Sequence, residues 1–150
     1  PKFNDEIIIE NLEEISGYSD LLETLVRSPR ASSKVLEKIL ETNKEYLQHS
    51  GRVKHETYAL ITFMMDNPNM TPELLGQSLD ALESGGYDIQ ASLNYLTKHS
   101  INKLFELDEW KWKLKNKYSM TYRVIDKEKR EAYEKTKESL PRSSTGFPRN

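Results

Sequence analysis

The stretch "WKWKLKNKYSMTYRVI", from Trp110 to Ile125, decides how the fold is interpreted. Apolar or aromatic residues take nearly every even position, and lysines or hydroxyl-bearing residues take nearly every odd one. A period of two, with Trp, Tyr, Thr, Val and Ile enriched, is typical of a β-strand with one buried face. The polar run at 115–117 would reverse the chain, so the pattern predicts a β-hairpin.

A helical alternative exists for the first half of this stretch. Its stripe would consist of Leu104, Leu107, Trp110 and Leu114. Helical spacing does not account for residues 118–124, where the period of two continues. We therefore expect strands, the first beginning near Ile101 or only at Trp110.

Composition narrows the class of protein. The chain has 150 residues, of which 36% are hydrophobic and 31% charged, which favours helices with wide solvent faces in one compact domain. The longest apolar run, "YALITFMM", is too short to span a bilayer, so the sequence predicts a soluble, cytoplasmic protein without a membrane partner. Without cysteine, the chain has no disulfide, thiolate zinc site or cysteine nucleophile.

Motifs of catalysis and cofactor binding are missing from the sequence. His49, His55 and His99 show no metal-ligand spacing. No glycine-rich nucleotide motif or nucleophile motif is present either. We expect a protein that is not an enzyme and that uses no metal or cofactor.

Charge is distributed unevenly along the chain. Residues 1–97 contain 8 Lys and Arg against 16 Asp and Glu, whereas residues 98–150 contain 14 against 8. The net charges are therefore −8 and +6. Three interpretations account for this polarity: the two parts attract each other, the basic part meets an anionic partner, or the charges lie on solvated helix faces.

Helix start and stop signals are frequent before the period-two stretch. Thr71, Pro72 and Glu73 give the clearest start, because they combine an N-cap, a proline in the first turn and an acidic residue at the positive end of the helix dipole. Gly17, Ser28-Pro29, Gly51, Asn67-Pro68 and the "SGGY" turn at 84–87 supply the breaks. The predicted helices lie within 4–16, 19–28, 32–50, 55–66, 71–83 and 88–100.

One internal similarity has a period of 39 residues. The segments "SPRASSKVLEKIL" at 28–40 and "NPNMTPELLGQSL" at 67–79 each contain a proline, a hydroxyl-bearing cap and a leucine pair or its equivalent. They indicate either a helical-hairpin repeat or two helix starts built from the same chemistry. Repeat arrays generally need three copies and no third copy is evident, so we favour the second interpretation.

The order of elements resembles a winged helix-turn-helix domain of the MarR regulator type. "ALITFMMDNPNMTPELLGQSL" resembles its first two helices, "DIQASLNYLTKHSI" its recognition helix, and "YSMTYRVIDKEKREAYEKTKESL" its wing and exit helix. The resemblance implies a mainly α fold with a C-terminal β-hairpin, preceded by N-terminal helices. The implied organisation is an acidic helical region at 1–50, a winged-helix domain at 52–140 and a flexible tail at 141–150.

This resemblance predicts a regulator of transcription or replication that binds a DNA duplex. The third helix would read the major groove and the lysine-faced wing would lie along phosphates. Asp88 at the start of that helix would repel phosphate, and the helix lacks arginine, so amide side chains would read adenine. The candidate nucleic-acid-binding residues are Tyr87, Gln90, Asn94, Lys98, Lys111, Lys113, Lys115, Lys117 and Arg123.

A protein-interaction adaptor or assembly subunit, without DNA binding, is the alternative. It would be built on a winged-helix or helical-repeat scaffold, and the acidic helices of 1–50 would supply a second surface. Those helices could also form a homodimer or pack as ordinary core. The apolar residues in question are Ile7, Ile8, Leu21, Leu22, Leu36 and Leu40.

Overall fold

A computed structural model describes residues 4–16, 19–118, 120 and 131–136. In this part of the chain every regular element is helical. The α-helices are α1 Asp5–Glu10, α2 Leu12–Ser16, α3 Ser19–Arg27, α4 Ser33–Asn43, α5 Arg52–Met65, α6 Pro72–Ser84, α7 Ile89–Tyr95, α8 Lys98–Leu104 and α9 Asp108–Asn116, with a 3-10 helix at Lys44–Gln48 between α4 and α5. Residues 131–136, in the predicted exit helix, are also helical.

Short polar side chains start five of these helices. Each accepts a hydrogen bond from a backbone N–H in the first turn, which would otherwise lack a partner. Thr71, preceding Pro72, confirms the predicted start of α6. The caps of α1, α4, α6, α7 and α8 are Asn4, Ser32, Thr71, Asp88 and Thr97.

The helices at the centre of the fold follow one another in the chain as three successive pairs: α3 and α4, α5 and α6, and α7 and α8. The first helices of the first two pairs pack together, as do α6 and α8, and the 3-10 helix contacts both α5 and α6. Their apolar stripes are fully buried. The largest core side chains of this region are Leu36, Ile39, Leu47, Ile61, Met64, Met65, Leu75, Leu79, Leu82, Leu93 and Leu104.

Side-chain amides tie the turn of the second pair to the turn of the first. Asn67 donates from Nδ2 to the carbonyl oxygens of Val26 at 2.7 Å and Ser28 at 2.8 Å. Asn69 donates from Nδ2 to the carbonyl oxygens of Pro29 at 2.8 Å and Ala31 at 2.7 Å. These bonds join the two segments that show the 39-residue similarity, so equivalent turns lie against each other as in a helical-hairpin repeat.

The third pair is joined to the second by similar bonds. Asp66 Oδ1 accepts hydrogen bonds from Thr97 N at 3.3 Å, Thr97 Oγ1 at 3.2 Å and Ser100 Oγ at 2.7 Å. Lys103 Nζ donates to the carbonyl oxygens of Pro68 at 3.1 Å and Met70 at 2.8 Å. We refer to the bonds made by Asn67, Asn69, Asp66 and Lys103 as the turn ladder.

The predicted β-hairpin is wrong for the described residues. The segment expected to form its first strand is helix α9, in which Trp110 and Leu114 are buried on one side and Trp112 is 61% exposed. In a strand these three side chains would share a face, whereas four residues make about one helical turn and two residues make half a turn. Because the described residues contain no strand that could belong to a wing, the winged helix-turn-helix interpretation of the fold is wrong as well.

The chain divides into two compact units, Pro1–Lys111 and Trp112–Asn150, with the boundary inside α9. The helix pairs and the turn ladder belong to the first unit. In the second unit the described residues are 112–118, 120 and 131–136. Most of the predicted second strand, Arg123 and the predicted tail at 141–150 lie outside the described residues. None of the helices described is long and apolar enough to cross a membrane.

Candidate functional site

Tyr87, predicted to contact nucleic acid, packs against another tyrosine. Its ring stacks on that of Tyr58 with centroids 4.2 Å apart, and the ammonium of Lys54 lies 5.3 Å from its centroid. The Tyr87 hydroxyl is buried without a hydrogen-bond partner among the described residues. Burial, with a smaller contribution from Tyr58, raises the pKa of Tyr87 above its ordinary value. This environment is that of a structural contact.

The other predicted residues of the reading helix lie on two separate short helices. Gln90 and Asn94 are on α7, where Gln90 Nε2 donates to Asn94 Oδ1 at 3.3 Å. Asp88, which was expected to repel phosphate, caps α7 by accepting from Gln90 N at 3.0 Å. Lys98 begins α8 and is exposed. The helix is interrupted at residues 96–97, so these residues do not share one continuous helix.

The wing lysines lie around a helix and at its end. Lys111, Lys113 and Lys115 are on α9, and Lys117 follows its last residue. Because successive helical residues are about 100° apart, these lysines do not form the single row that a strand would give them. Lys111 Nζ lies 5.3 Å from the ring centroid of Phe105. The four lysines therefore do not share one face, as they would in a strand.

The residues predicted for a subunit interface differ in how far they are exposed. Ile7 and Leu21 are 56% and 52% exposed, whereas Ile8 is half-buried. Leu22, Leu36 and Leu40 are buried in the core of this chain. A homodimer through the N-terminal helices stays a prediction that could use only the exposed members of this set.

An open groove of about 700 Å³ follows the outer side of α4, the 3-10 helix and α6. Its apolar strip consists of the half-buried Ala81 and the aliphatic stems of the polar lining side chains, since Leu40 is only 3% exposed, and Gln48 and Gln77 contribute amides. Gln48 Nε2 also donates to the backbone and the hydroxyl of Ser84, both at 3.2 Å, which connects the 3-10 helix to the end of α6. The two walls of the groove are therefore held together by the protein itself.

Carboxylates dominate the lining of this groove. Glu37, Glu41, Glu45 and Asp80 line it with a single cation, Lys44, so the lining carries a formal charge of −3. All four carboxylate residues are exposed to solvent. Glu41 has an ion pair with Lys38 at 3.8 Å, but neither Glu37 nor Glu45 has one among the described residues. We call these ten lining residues of α4, the 3-10 helix and α6 the acidic groove.

The acidic groove was absent from the residues predicted from sequence, although a signal was present. Glu37, Glu41 and Glu45 recur every four residues, the spacing that places side chains on one helical face. They lie opposite the apolar stripe formed by Val35, Leu36, Ile39 and Leu40. Together with that stripe, the carboxylate spacing predicts a long acidic edge.

A second, more apolar pocket of about 370 Å³ lies where α3, α5 and the 3-10 helix meet. Leu22, Val53, Leu60 and Phe63 line it, and Arg27 covers the ring of Phe63 at 3.7 Å. The carboxylates at its edge, Glu23 and Glu56, are paired with Arg27 and Arg52. Its ionic groups are thus paired within the chain, whereas Glu37 and Glu45 of the acidic groove have no ion pair among the described residues.

No cluster of three or more histidine, aspartate or glutamate side chains in the described ranges could hold a metal ion. The carboxylates of the acidic groove are thus spread along α4, the 3-10 helix and α6 and do not converge on one point. Neither a protein-family model, nor a curated protein, nor a solved structure shows significant similarity to this chain. The geometry of the groove and the charges around it are therefore the basis for a function.

Proposed function

We propose that this protein is a non-enzymatic interaction module that binds a basic segment of polypeptide in the acidic groove. The observation that carries the proposal is the groove lining, in which four carboxylates and one lysine lie beside the apolar strip of Ala81 and aliphatic stems. A lysine- or arginine-rich segment complements this charge, and its apolar side chains or alkyl stems complement the apolar strip. A cytoplasmic location suits such a module and remains part of the proposal.

The helical-repeat scaffold supports this function because the groove walls are held before a partner arrives. Asn67 and Asn69 fix the second helix pair against the first, and Gln48 joins the 3-10 helix to Ser84. A partner that meets a preformed groove loses less free energy to ordering than one that must assemble it. Extended surfaces on stacked helix pairs are a general solution for binding polypeptides.

A peptide titration tests the proposal. A fluorescently labelled peptide of alternating lysine and leucine should bind the purified chain, and fluorescence anisotropy should show that affinity falls as salt is raised. Each exposed ion pair contributes about 0.2–1 kcal/mol, and like charges repel by similar amounts, so replacing two attractions with two repulsions should weaken binding by at least about fourfold. The variant is Glu37→Lys/Glu45→Lys, which changes two exposed residues without an ion pair among the described residues.

The matched control is Glu13→Lys/Glu14→Lys, which makes the same change in net charge on α2, outside the groove. It should retain most of the affinity, and a peptide of alternating glutamate and leucine should not bind. Equal loss of affinity in both variants would mean that only net charge matters. That result, or no binding of the basic peptide, would refute the proposed groove.

DNA binding is the second candidate function, and one observation favours it. Residues 112–150 contain 11 Lys and Arg against 5 Asp and Glu, a net charge of +6. Such a segment can neutralise phosphates and release counterions even without a wing. A gel-shift titration with random duplex should then show binding that weakens with salt and with Lys115→Glu/Lys117→Glu, whereas unchanged binding by that variant would count against it.

A further inference from the structure

The two compact units of this chain have opposite charge. Residues 1–111 contain 11 Lys and Arg against 19 Asp and Glu, a net charge of −8, whereas residues 112–150 have a net charge of +6. The change of sign in the sequence thus coincides with the structural boundary inside α9. A chain of this kind carries, within itself, a basic polypeptide of the class that the acidic groove fits.

The basic unit also presents an apolar anchor. Trp112, its first residue, is 61% exposed on the side of α9 away from the buried Leu114. Exposed lysines follow it at positions 115 and 117. Tryptophan is enriched among the residues that dominate binding energy at interfaces, and leaving it in water forgoes much of its burial energy. A tryptophan beside lysines matches a groove with an apolar strip between carboxylates.

We infer that the acidic groove of one molecule binds the basic unit of a second copy, so that the chain associates with itself head to tail. This inference rests on the proposed function, because it assigns the occupant of the same groove. Glu37 and Glu45 pair with Lys115 and Lys117 of the neighbouring molecule, and Trp112 of that molecule covers Ala81 and the aliphatic stems beside it. The contact joins the groove of one molecule to the basic unit of the other. The first molecule therefore still has its basic unit, and the second its groove, for a further contact.

A heterologous contact of this type has a distinctive consequence. Unlike a two-fold dimer, it can continue from molecule to molecule until a ring closes or an open filament forms. Attraction between exposed charges also weakens strongly with ionic strength, because the screening length falls from about 10 Å at 0.1 M salt to about 3 Å at 1 M. Assemblies should therefore grow larger than a dimer at low salt and dissociate into monomers at high salt.

Light scattering after size-exclusion chromatography measures this directly. At about 50 mM salt, the mass should rise with protein concentration beyond twice the monomer mass of 17.5 kDa, and at about 500 mM salt it should fall to the monomer. Nuclease treatment precedes the measurement. Assembly that disappears after nuclease treatment would show that the basic unit holds nucleic acid, and would overturn the inference.

Two charge-reversal variants test the two surfaces of the contact separately, one changing the acidic groove and the other the basic unit. E37K/E45K lacks the groove and K115E/K117E lacks the basic surface, so each should stay monomeric at low salt. Mixed in equal amounts, they should associate again, because the intact groove of one variant fits the intact basic unit of the other and the two reversed surfaces are also complementary in charge. E13K/E14K should assemble as the unaltered chain does, and far-ultraviolet circular dichroism confirms that each variant is folded.

The outcomes separate this inference from the proposed function. A chain that stays monomeric at low salt, yet binds the lysine-leucine peptide through the groove, would overturn self-association and leave the groove in place. If the chain neither assembles at low salt nor binds the peptide, both self-association and the proposed function are refuted. Assembly that survives both reversals would also refute the inference, since it would then use another surface.

Discussion

Single side chains hold the helix pairs of this protein together, and Asn67 shows how. Its side chain is only 3% exposed, and its amide donates to two backbone carbonyl oxygens of the preceding turn while Oδ1 accepts from Asn69 N at 2.9 Å. Both polar atoms of the side chain thereby have partners. The residue acts as a connection between two turns that are 39 positions apart in the sequence.

Replacing Asn67 with alanine should be costly. Asn67→Ala leaves the buried Val26 carbonyl oxygen without this donor, whereas the Ser28 carbonyl oxygen still accepts from Ala31 N at 3.1 Å. An unsatisfied buried group costs about 1–3 kcal/mol, so we expect the free energy of unfolding to fall by about that amount. Urea denaturation measures it. Asn116→Ala removes an exposed amide that donates to the Trp112 carbonyl and serves as the control, with a change below about 0.5 kcal/mol. Similar losses in both would contradict the role of Asn67.

Gly76 permits a close approach inside α6. A Cβ atom placed there would lie 2.8 Å from Nε1 and 3.2 Å from Cδ1 of Trp110, which is itself buried. Alanine favours a helix interior by about 1 kcal/mol over glycine, but overpacking costs about 1–3 kcal/mol, so Gly76→Ala should be net destabilising. With Trp110→Ala present, the same substitution should become stabilising by about 1 kcal/mol. Urea denaturation of the four proteins would show the change of sign, and its absence would refute the contact.

Tyr87 should make stability fall in alkaline solution. Its pKa is raised by burial and by Tyr58, so above pH 10.0 the unfolded chain loses the proton before the folded protein does. Stability contributed by this group is therefore present below that pH and is lost as pH rises through the folded pKa. Tyr87→Phe should remove this slope and, by deleting a buried hydroxyl without a partner among the described residues, stabilise the protein at neutral pH by about 1 kcal/mol. Urea titrations from neutral to alkaline pH would detect both effects.

At the scale of elements, α9 shows where a pattern is ambiguous. Trp110 and Leu114 are four positions apart, a spacing that keeps both on one face of a helix and also on one face of a strand. Only Trp112, between them, distinguishes the two, because it shares their strand face but lies on the opposite helix face. The aromatic and β-branched residues that follow favoured a strand, whereas Asp108 and Glu109 at the start and lysines at the end are typical of a helix.

Alanine substitutions along α9 test its helical form in solution. Trp110→Ala and Leu114→Ala should each lower the free energy of unfolding by about 2–5 kcal/mol, since both side chains are buried. Trp112→Ala should change it by less than about 1 kcal/mol, since that side chain is mostly exposed. Chemical denaturation compares the three. Equal losses at all three positions would instead indicate the shared face of a strand.

Much of the helical part could be predicted from local chemistry. The predicted helix at 19–28 corresponds to α3, and the Thr71-Pro72-Glu73 start is that of α6, because capping and dipole effects act within one turn. The 39-residue similarity does not extend to the third pair, whose turn at 96–97 is shorter than the turns at 28–32 and 66–71. The acidic groove depends on α6 packing against the 3-10 helix that follows α4, which local patterns do not encode.

For the folded helix pairs of the first unit, the turn ladder is the common device. Asp66 and Lys103 connect the third pair to the second as Asn67 and Asn69 connect the second to the first. Arrays of this kind gain stability mainly from contacts between neighbouring repeats. A change in one connection should therefore act first on the pair it holds.

Lys103→Met tests this expectation, because it keeps the aliphatic stem and removes the donor to the Pro68 and Met70 carbonyls. Amides of α7 and α8 should exchange with deuterium at least about tenfold faster, whereas those of α4 should change little. Hydrogen exchange followed by mass spectrometry resolves the two regions. Uniform acceleration across the first unit would show that the helix pairs unfold as a single cooperative body and not pair by pair.

The turn ladder also determines where this chain could gain residues without losing its fold. Its side chains hydrogen-bond directly to backbone atoms of a neighbouring turn, so an insertion at 28–32 or 66–71 would displace the carbonyls they contact. The link at 49–51 is exposed, and Gly51 there has a positive φ of 73° with open space where a Cβ atom would lie. The link between successive helix pairs can therefore vary in length, whereas the turns within the pairs cannot. Such variation would leave the pairs at a constant distance from each other in space while the length of the link between them changes.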